Sequence, residues 1–373
     1  MGKTLVFDSF FNIPNRSMEV CCMQSDGGNG RTHAGSFAPA SSSGLKEPER
    51  HFDPNEAREL HFNVLDPRIR GYFEKPVIQI TFEHGDFFHT LGSANGHSVQ
   101  IPDGVMDKEL TLNQPCIIRL DDREVLAIYR GNGQLTHVSR PAVRTDSGKI
   151  SPRNDEQAFA LNLLNDPRIK CLLLVGPAGT GKSLMVLDHI ATHHERYESI
   201  ILVKQPCSIG VKEGFLPGTA EEKFNPYAQS FFDNLKLLTD NNHDLFGMII
   251  NPTGDRGRLT AKIMMCSLGQ FRGRKFPRSL IVLDEMQNTT YEEAYAVATR
   301  ATGEDSRFVG LGDPDQVDYD HSKKRSRNGL LAFLEDTAGE EGCARVGLLK
   351  NEQSKLCAML TRKLAARHKM LSV

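Results

Sequence analysis

The sequence predicts an α/β protein: a mostly parallel sheet with helices on both faces, preceded by a small N-terminal β-rich unit. Three observations carry this expectation. The apolar runs 171–175 (CLLLV), 200–203 (IILV), 280–283 (LIVL) and 307–311 (RFVGL) are continuous rather than alternating, as strands buried on both faces are. Segments long enough for helices separate them, which wraps helices over both faces of one sheet. Upstream, residues 76–145 break into short β-type runs split by Gly, Asn and Asp.

In chain order, residues 1–50 read as an N-terminal arm and linker, because 24–50 are rich in Gly, Ser, Ala and Pro with little to bury. Residues 51–148 read as a β-rich accessory domain, its strands antiparallel. "PVIQITF", "CIIRL", "EVLAIYR" and "LTHV" supply them, and "RGNGQ" between the last two is a hairpin turn. Residues 149–373 form the α/β domain.

Composition narrows the function classes. The chain has 373 residues, 39% hydrophobic and 25% charged, with a formal net charge of −2. A polyanion is therefore not attracted by the whole molecule, and any nucleic-acid contact needs a local basic patch. The eight cysteines form no CxxC pair and have no His partner at zinc spacing, which sets aside a disulfide framework and a zinc site. Reduced thiols fit an intracellular, cytoplasmic location. No stretch approaches about 18 apolar residues, so no membrane partner is expected.

The strongest local signal follows the first apolar run. "GPAGTGKS" matches G-x-x-x-x-G-K-[ST] and stands between a strand and a helix, the context that makes the pattern specific. The loop Gly176, Pro177, Ala178, Gly179, Thr180 and Gly181 would wrap phosphates with its N–H groups, at the positive end of a helix. Lys182 would reach the β- and γ-phosphates of a nucleotide and Ser183 would ligate Mg²⁺. A parallel sheet delivers strand ends to one edge, so the acids closing "LIVLDE" belong to the same site. Asp284 is expected to hold Mg²⁺ and Glu285 to act as general base on water. Gln316, in "GDPDQVD" after the next strand, is placed to hydrogen-bond a γ-phosphate or the attacking water. A P-loop kinase, which activates a substrate hydroxyl, has less need of Glu285 or Gln316.

These stretches, with "RNDEQAFALNLL", "GFLPGTAEEKFNPYAQSFFDNL" and "FRGRKF", resemble the PhoH family, P-loop ATPases related to the RecA-like core of superfamily 1 helicases. The resemblance covers about residues 150–350. It implies a single RecA-like domain, ATP as the nucleotide, and Gln157 as the residue that recognises adenine. It also implies single-stranded RNA or DNA as partner and a homo-oligomeric ring, a hexamer. The accessory segment is similar to the region before the ATPase in longer members that begin with a PIN nuclease. Asp8 resembles a PIN acid, but no acidic cluster follows it, so nuclease activity is not expected. Two family features differ: Gln205-Pro206 stands where Arg-Pro is usual, leaving Lys204 as the nearby cation, and Lys355 falls near the arginine of an Arg-His-Pro stretch.

The 57 residues after Gln316 leave no room for a second RecA-like domain, so a neighbouring subunit is expected to complete the ATP site. Arg325, Arg327, Arg345 and Arg362 are candidates for the charge it supplies. Arg272, Arg274 and Lys275 between Phe271 and Phe276, with Arg278 just after, suit phosphate contact and base stacking on a single strand. Lys204 joins them as a polynucleotide contact. Gln287 is read as a link between the ATP site and these loops.

Overall fold

In the computed structural model the described residues are 75–94, 96–105, 109–139, 150–204, 231, 233–236, 238, 262–266, 268, 275–317 and 328–352. Arg272, Arg274, Arg325, Arg327, Lys355, Arg362, the 24–50 linker and the "GFLPG" stretch lie outside them.

The N-terminal unit contains β1 (Val77–Gln79), α1 (Gly85–Gly92), β2 (Ser98–Gln100), β3 (Pro115–Leu120), β4 (Arg123–Tyr129) and β5 (Gln134–Val138). The β4–β5 turn runs through Gly131, Asn132 and Gly133, all at positive φ, so the expected hairpin forms. The sheet order is β1-β3-β4-β5-β2. It is mixed rather than wholly antiparallel as the sequence suggested, because β1 pairs parallel to β3, with α1 and β2 between them in the chain.

The second unit contains α2 (Asp155–Asn165), β6 (Cys171–Val175), α3 (Lys182–His193), β7 (Ser199–Lys204), β8 (Lys262–Cys266), β9 (Phe276–Pro277), β10 (Ser279–Asp284), α4 (Tyr291–Ala298), β11 (Ala301–Thr302), β12 (Arg307–Gly312), α5 (Gly329–Asp336) and β13 (Cys343–Gly347). Six of its strands form one sheet in the order β13-β6-β12-β10-β7-β8, and every pairing is parallel. This is the RecA-like arrangement, with β12 inserted between the strand before the phosphate loop and the strand ending in Asp284. The four apolar runs become β6, β7, β10 and β12. Helices cover both faces: α2 and α3 pack on one, where Phe159, Leu163 and Val186 meet Leu172 and Val282. Helices α4 and α5 pack on the other, where Ala294, Val297 and Phe333 meet Leu173 and Ile281.

The two units share a core. Along β4, Val125 and Ala127 face the N-terminal unit's own apolar cluster, while Leu126 and Ile128 join Phe159 and Leu163 of α2. Buried polar contacts flank this seam. Arg130 pairs with Asp166 at 2.8 Å and Lys75 with Glu156 at 3.0 Å, all four side chains almost fully buried. Burial alone would raise the Asp166 carboxyl, but Arg168 and Arg130 override it and hold it below its ordinary value. Breaking either buried pair would strand a charge away from water.

Beneath α3, His189 bridges Asn165 Oδ1 at 3.0 Å and the Tyr197 hydroxyl at 2.9 Å. Asn165 Oδ1 only accepts, so Nδ1 carries the proton and Nε2 accepts from Tyr197. Burial, then Arg307, drives the His189 pKa well below its ordinary value, and burial does the same in the same direction to His137 and His193. A depressed histidine contributes stability above its unfolded pKa of about 6.5 and loses it as pH falls below that, because only the unfolded chain takes up the proton. The melting temperature should therefore fall between pH 7.5 and 5.5, and less steeply in His189→Gln; thermal melts across that range check it.

Candidate active site

All six parallel strands end on one edge of the sheet, and the candidate residues converge there. The loop after β6 turns through Gly176, Gly179 and Gly181, all at positive φ, and hands over directly to α3 at Lys182. At Gly176 there is also no space: a Cβ would overlap the Leu348 carbonyl oxygen. That carbonyl cannot retreat easily, because the Leu348 N–H donates to Val175 O at 2.7 Å. Gly176→Ala should cost about 1–3 kcal/mol by overpacking. At about 2–4 °C per kcal/mol for a domain of this size, the loss is readable by calorimetry.

The loop is held from two sides. Gln157 is fully buried; its Nε2 donates to Thr180 O at 3.0 Å and its Oε1 accepts from Arg153 N at 2.9 Å. Its amide is thus turned to the loop's backbone, which the adenine contact implied by the resemblance did not anticipate. On the other side, Glu352 N donates to Gly179 O at 3.0 Å and Asn351 Nδ2 to Ala178 O at 2.9 Å. Glu156 secures this strap, accepting from Leu349 N at 2.7 Å and Lys350 N at 3.0 Å. Asn154 Nδ2 reaches Glu352 Oε1 at 2.6 Å.

The Lys182 side chain is half-buried, and its ammonium donates to Gly176 O and to Pro177 O, the latter at 2.9 Å. Burial lowers its pKa; Asp313, Asp284 and Glu285, in that order, push it back up. Three carboxylates from the ends of two strands therefore face one lysine. Asp313 is the strongest of them and is buried, and it is not among the residues that the sequence analysis placed at the site. The side chain of Lys204, in register with Asp284 across β7 and β10, ion-pairs with it at 3.4 Å. That pair places Lys204 in this acidic cluster.

Glu285 adopts the left-handed conformation at φ 56°, an uncommon one for a residue with a side chain. It breaks β10 and starts the turn Met286–Asn288. Gln287, fully buried, then joins the elements: Nε2 donates to Glu285 Oε2 at 2.7 Å and to Gln316 O at 3.0 Å, while Oε1 accepts from Asp313 N at 3.1 Å. Its carbonyl accepts from Asn328 Nδ2, the N-cap of α5, at 2.7 Å. Gly312 is required here, since a Cβ would come within 2.8 Å of Gln287 Oε1. Gln316 is half-buried in the loop after β12, beside the phosphate loop's strand. Of the candidate arginines, Arg345 is described, and its Nη1 donates to Leu334 O at 2.9 Å within its own chain.

The model of the family "PhoH-like protein" matches residues 149–360. The chain belongs to this family. It is a family of P-loop ATPases, so a nucleotide site follows from membership. Protein PhoH2 of Bacillus subtilis is 34% identical over 216 residues, 56% of this chain and 46% of the relative. A PhoH-like protein of Mycobacterium leprae is 34% identical over 163 residues, 43% of each chain. The chain thus spans less than half the length of either relative. A Pif1 helicase structure from Candida albicans overlaps 52% of this chain and 39% of its own at 14% identity, with a TM-score of 0.27, too low to carry an argument. Among the described residues no helix is long and apolar enough to cross a membrane.

Proposed function

We propose that this PhoH-like chain is a Mg²⁺-dependent ATP hydrolase that couples turnover to binding of single-stranded RNA or DNA, and to translocation or unwinding along it, as a homo-oligomeric ring, a hexamer. One observation supports hydrolysis most: Lys182, Asp284, Glu285 and Asp313 meet at one sheet edge, with Gln287 fastening Glu285 to the Gln316 loop.

The donor set fits magnesium. No cluster of three or more His, Cys, Asp or Glu able to hold a metal occurs among the described residues. An ion that keeps most of its waters and binds through one or two side chains plus phosphates needs no such cage. Ser183 and Asp284 would hold it, and when bound it would draw charge off the phosphate oxygens. The chain's own residues supply the rest. Loop N–H groups bind phosphates and Lys182 offsets charge on the γ-phosphoryl oxygens. Glu285 takes a proton from the attacking water, aimed by its bond from Gln287, and Gln316 orients that water without competing for its proton. A water-activating carboxylate favours hydrolysis over transfer to an acceptor.

The ring rests on the resemblance and on rate: an arginine supplied in trans is worth about 10³–10⁵ in phosphoryl transfer. Lys275 and Arg278, exposed just before β10, are the described end of the basic stretch proposed to meet the polymer. The test is phosphate release with single-stranded RNA, with single-stranded DNA and with no polymer, alongside sedimentation velocity. Stimulation by polymer and a sedimenting ring are expected. Polymer-insensitive turnover would leave an ATP-gated scaffold, and full activity in a stable monomer would end the ring.

Gln287 gives a separate expectation. Because it bonds Glu285 directly, Gln287→Ala should lower basal turnover as well as any polymer stimulation. It should also cost about 1–3 kcal/mol by leaving the buried Asp313 N–H without its acceptor. Basal rates and melts of the variant check both.

A further inference from the structure

Cys171 opens β6 and Cys343 opens β13, and the parallel pairing of these strands sets the two directly opposite each other. Paired strands lie about 4.8 Å apart and opposed residues project to the same face. That spacing falls within the roughly 4.4–6.8 Å between the Cα atoms of a disulfide. Both are free cysteines, and each residue is partly exposed. Cys171 also lines a groove of about 680 Å³ between α4 and α5, beside Tyr291, Tyr295 and Lys170. Among the described residues β13 is the edge strand of its sheet and is paired on one side, to β6.

We propose that Cys171 and Cys343 form a peroxide-reactive dithiol that closes reversibly to a disulfide. Cys343 is the attacking thiol: the hydrogen bond from Cys171 lowers its pKa, Arg345 helps, and burial and Glu340 oppose. The same hydrogen bond and burial hold Cys171 protonated. The Cys343 thiolate attacks one oxygen of hydrogen peroxide, forming S–O and breaking O–O; the departing hydroxide takes up a proton to become water. The Cys171 sulfur then attacks the sulfenic sulfur, forming S–S and breaking S–O, and its proton leaves with that oxygen as a second water. Two thiols supply the two electrons that reduce the peroxide. The link would join the starts of two strands whose far ends run into Gly176 and into the Leu348–Glu352 strap, that is, into both sides of the phosphate loop.

The test uses the full chain, with its other six cysteines as internal controls. Protein treated with hydrogen peroxide is alkylated with N-ethylmaleimide without reduction, digested and read by mass spectrometry. A peptide pair linked through Cys171 and Cys343 is expected, lost on dithiothreitol treatment and absent from Cys343→Ser, in which Cys171 stays alkylatable. Recovery of both cysteines as alkylated thiols while other cysteines oxidise would overturn the proposal. So would sulfinic acid at Cys343 without the linked pair, or linkage of either cysteine to a different one.

Discussion

Lys182→Ala is expected to abolish nucleotide-dependent behaviour while leaving the fold in place. The side chain contributes a positive charge from a half-buried position, where Asp313, Asp284 and Glu285 oppose the pKa depression that burial imposes. Charge placed in such a setting acts on phosphate oxygens more strongly than it would in water. Losing one such donor costs about 10²–10³ in turnover. Affinity should fall too, because the three carboxylates would then face the phosphates without compensation. The sharper readout is thermal. A ligand at about 100 times its Kd stabilises the native state by about 2.7 kcal/mol. That is about 5–10 °C for a domain of this size. Wild type should show this shift with Mg·ATP and Lys182→Ala should not, with the melting points without nucleotide close together. An unchanged shift in the variant would remove the phosphate loop from the nucleotide site.

The parts of the fold legible in the sequence were those written in contiguous residues. Strands β6, β7, β10 and β12 lie in the sheet interior and read as unbroken apolar runs; the turn residues around Gly176–Gly181 and Gly131–Gly133 need backbone conformations that their composition announces. Within the six-stranded sheet two strands escaped notice, β8 and β13. Both are edges of the sheet, and "CARVG" carries an arginine where an interior strand carries Val or Leu.

The site was legible to the same depth. Glu285 and Lys182 belong to local patterns, but the supports around them do not. Glu156 reaches Leu349 and Lys350 across more than 190 residues, and Asn154 reaches Glu352 over a similar distance. No spacing rule covers such pairs. The resemblance implies an adenine contact for Gln157, and burial against Thr180 gives it a bracing position that this reading does not contain. Asp313 was hidden differently: Asp in Gly-Asp-Pro is common in turns, and only the position of β12 next to β6 reveals that this carboxylate faces Lys182.

Glu285→Gln is the second large effect, and it separates chemistry from binding. Oε2 of Glu285 accepts from Gln287 Nε2 at 2.7 Å, and a glutamine there can still offer its Oε1 to the same donor. The left-handed backbone at Glu285 is unaffected by an isosteric side chain. What is lost is proton affinity, since an amide does not take a proton from water. General-base catalysis is worth about 10²–10⁴, so kcat should fall by about that factor. The Mg·ATP thermal shift should survive, because Lys182, Ser183 and Asp284 are untouched. Single-turnover phosphate release paired with thermal shift resolves the two. If both vanish together, Glu285 holds nucleotide rather than water; if neither changes, the base lies elsewhere. A variant that binds ATP without consuming it should also hold any oligomer in its ATP-bound state. Persistent, ATP-dependent retention of single-stranded polymer by Glu285→Gln, against transient retention by wild type, is the outcome that a hydrolysis-coupled ring requires.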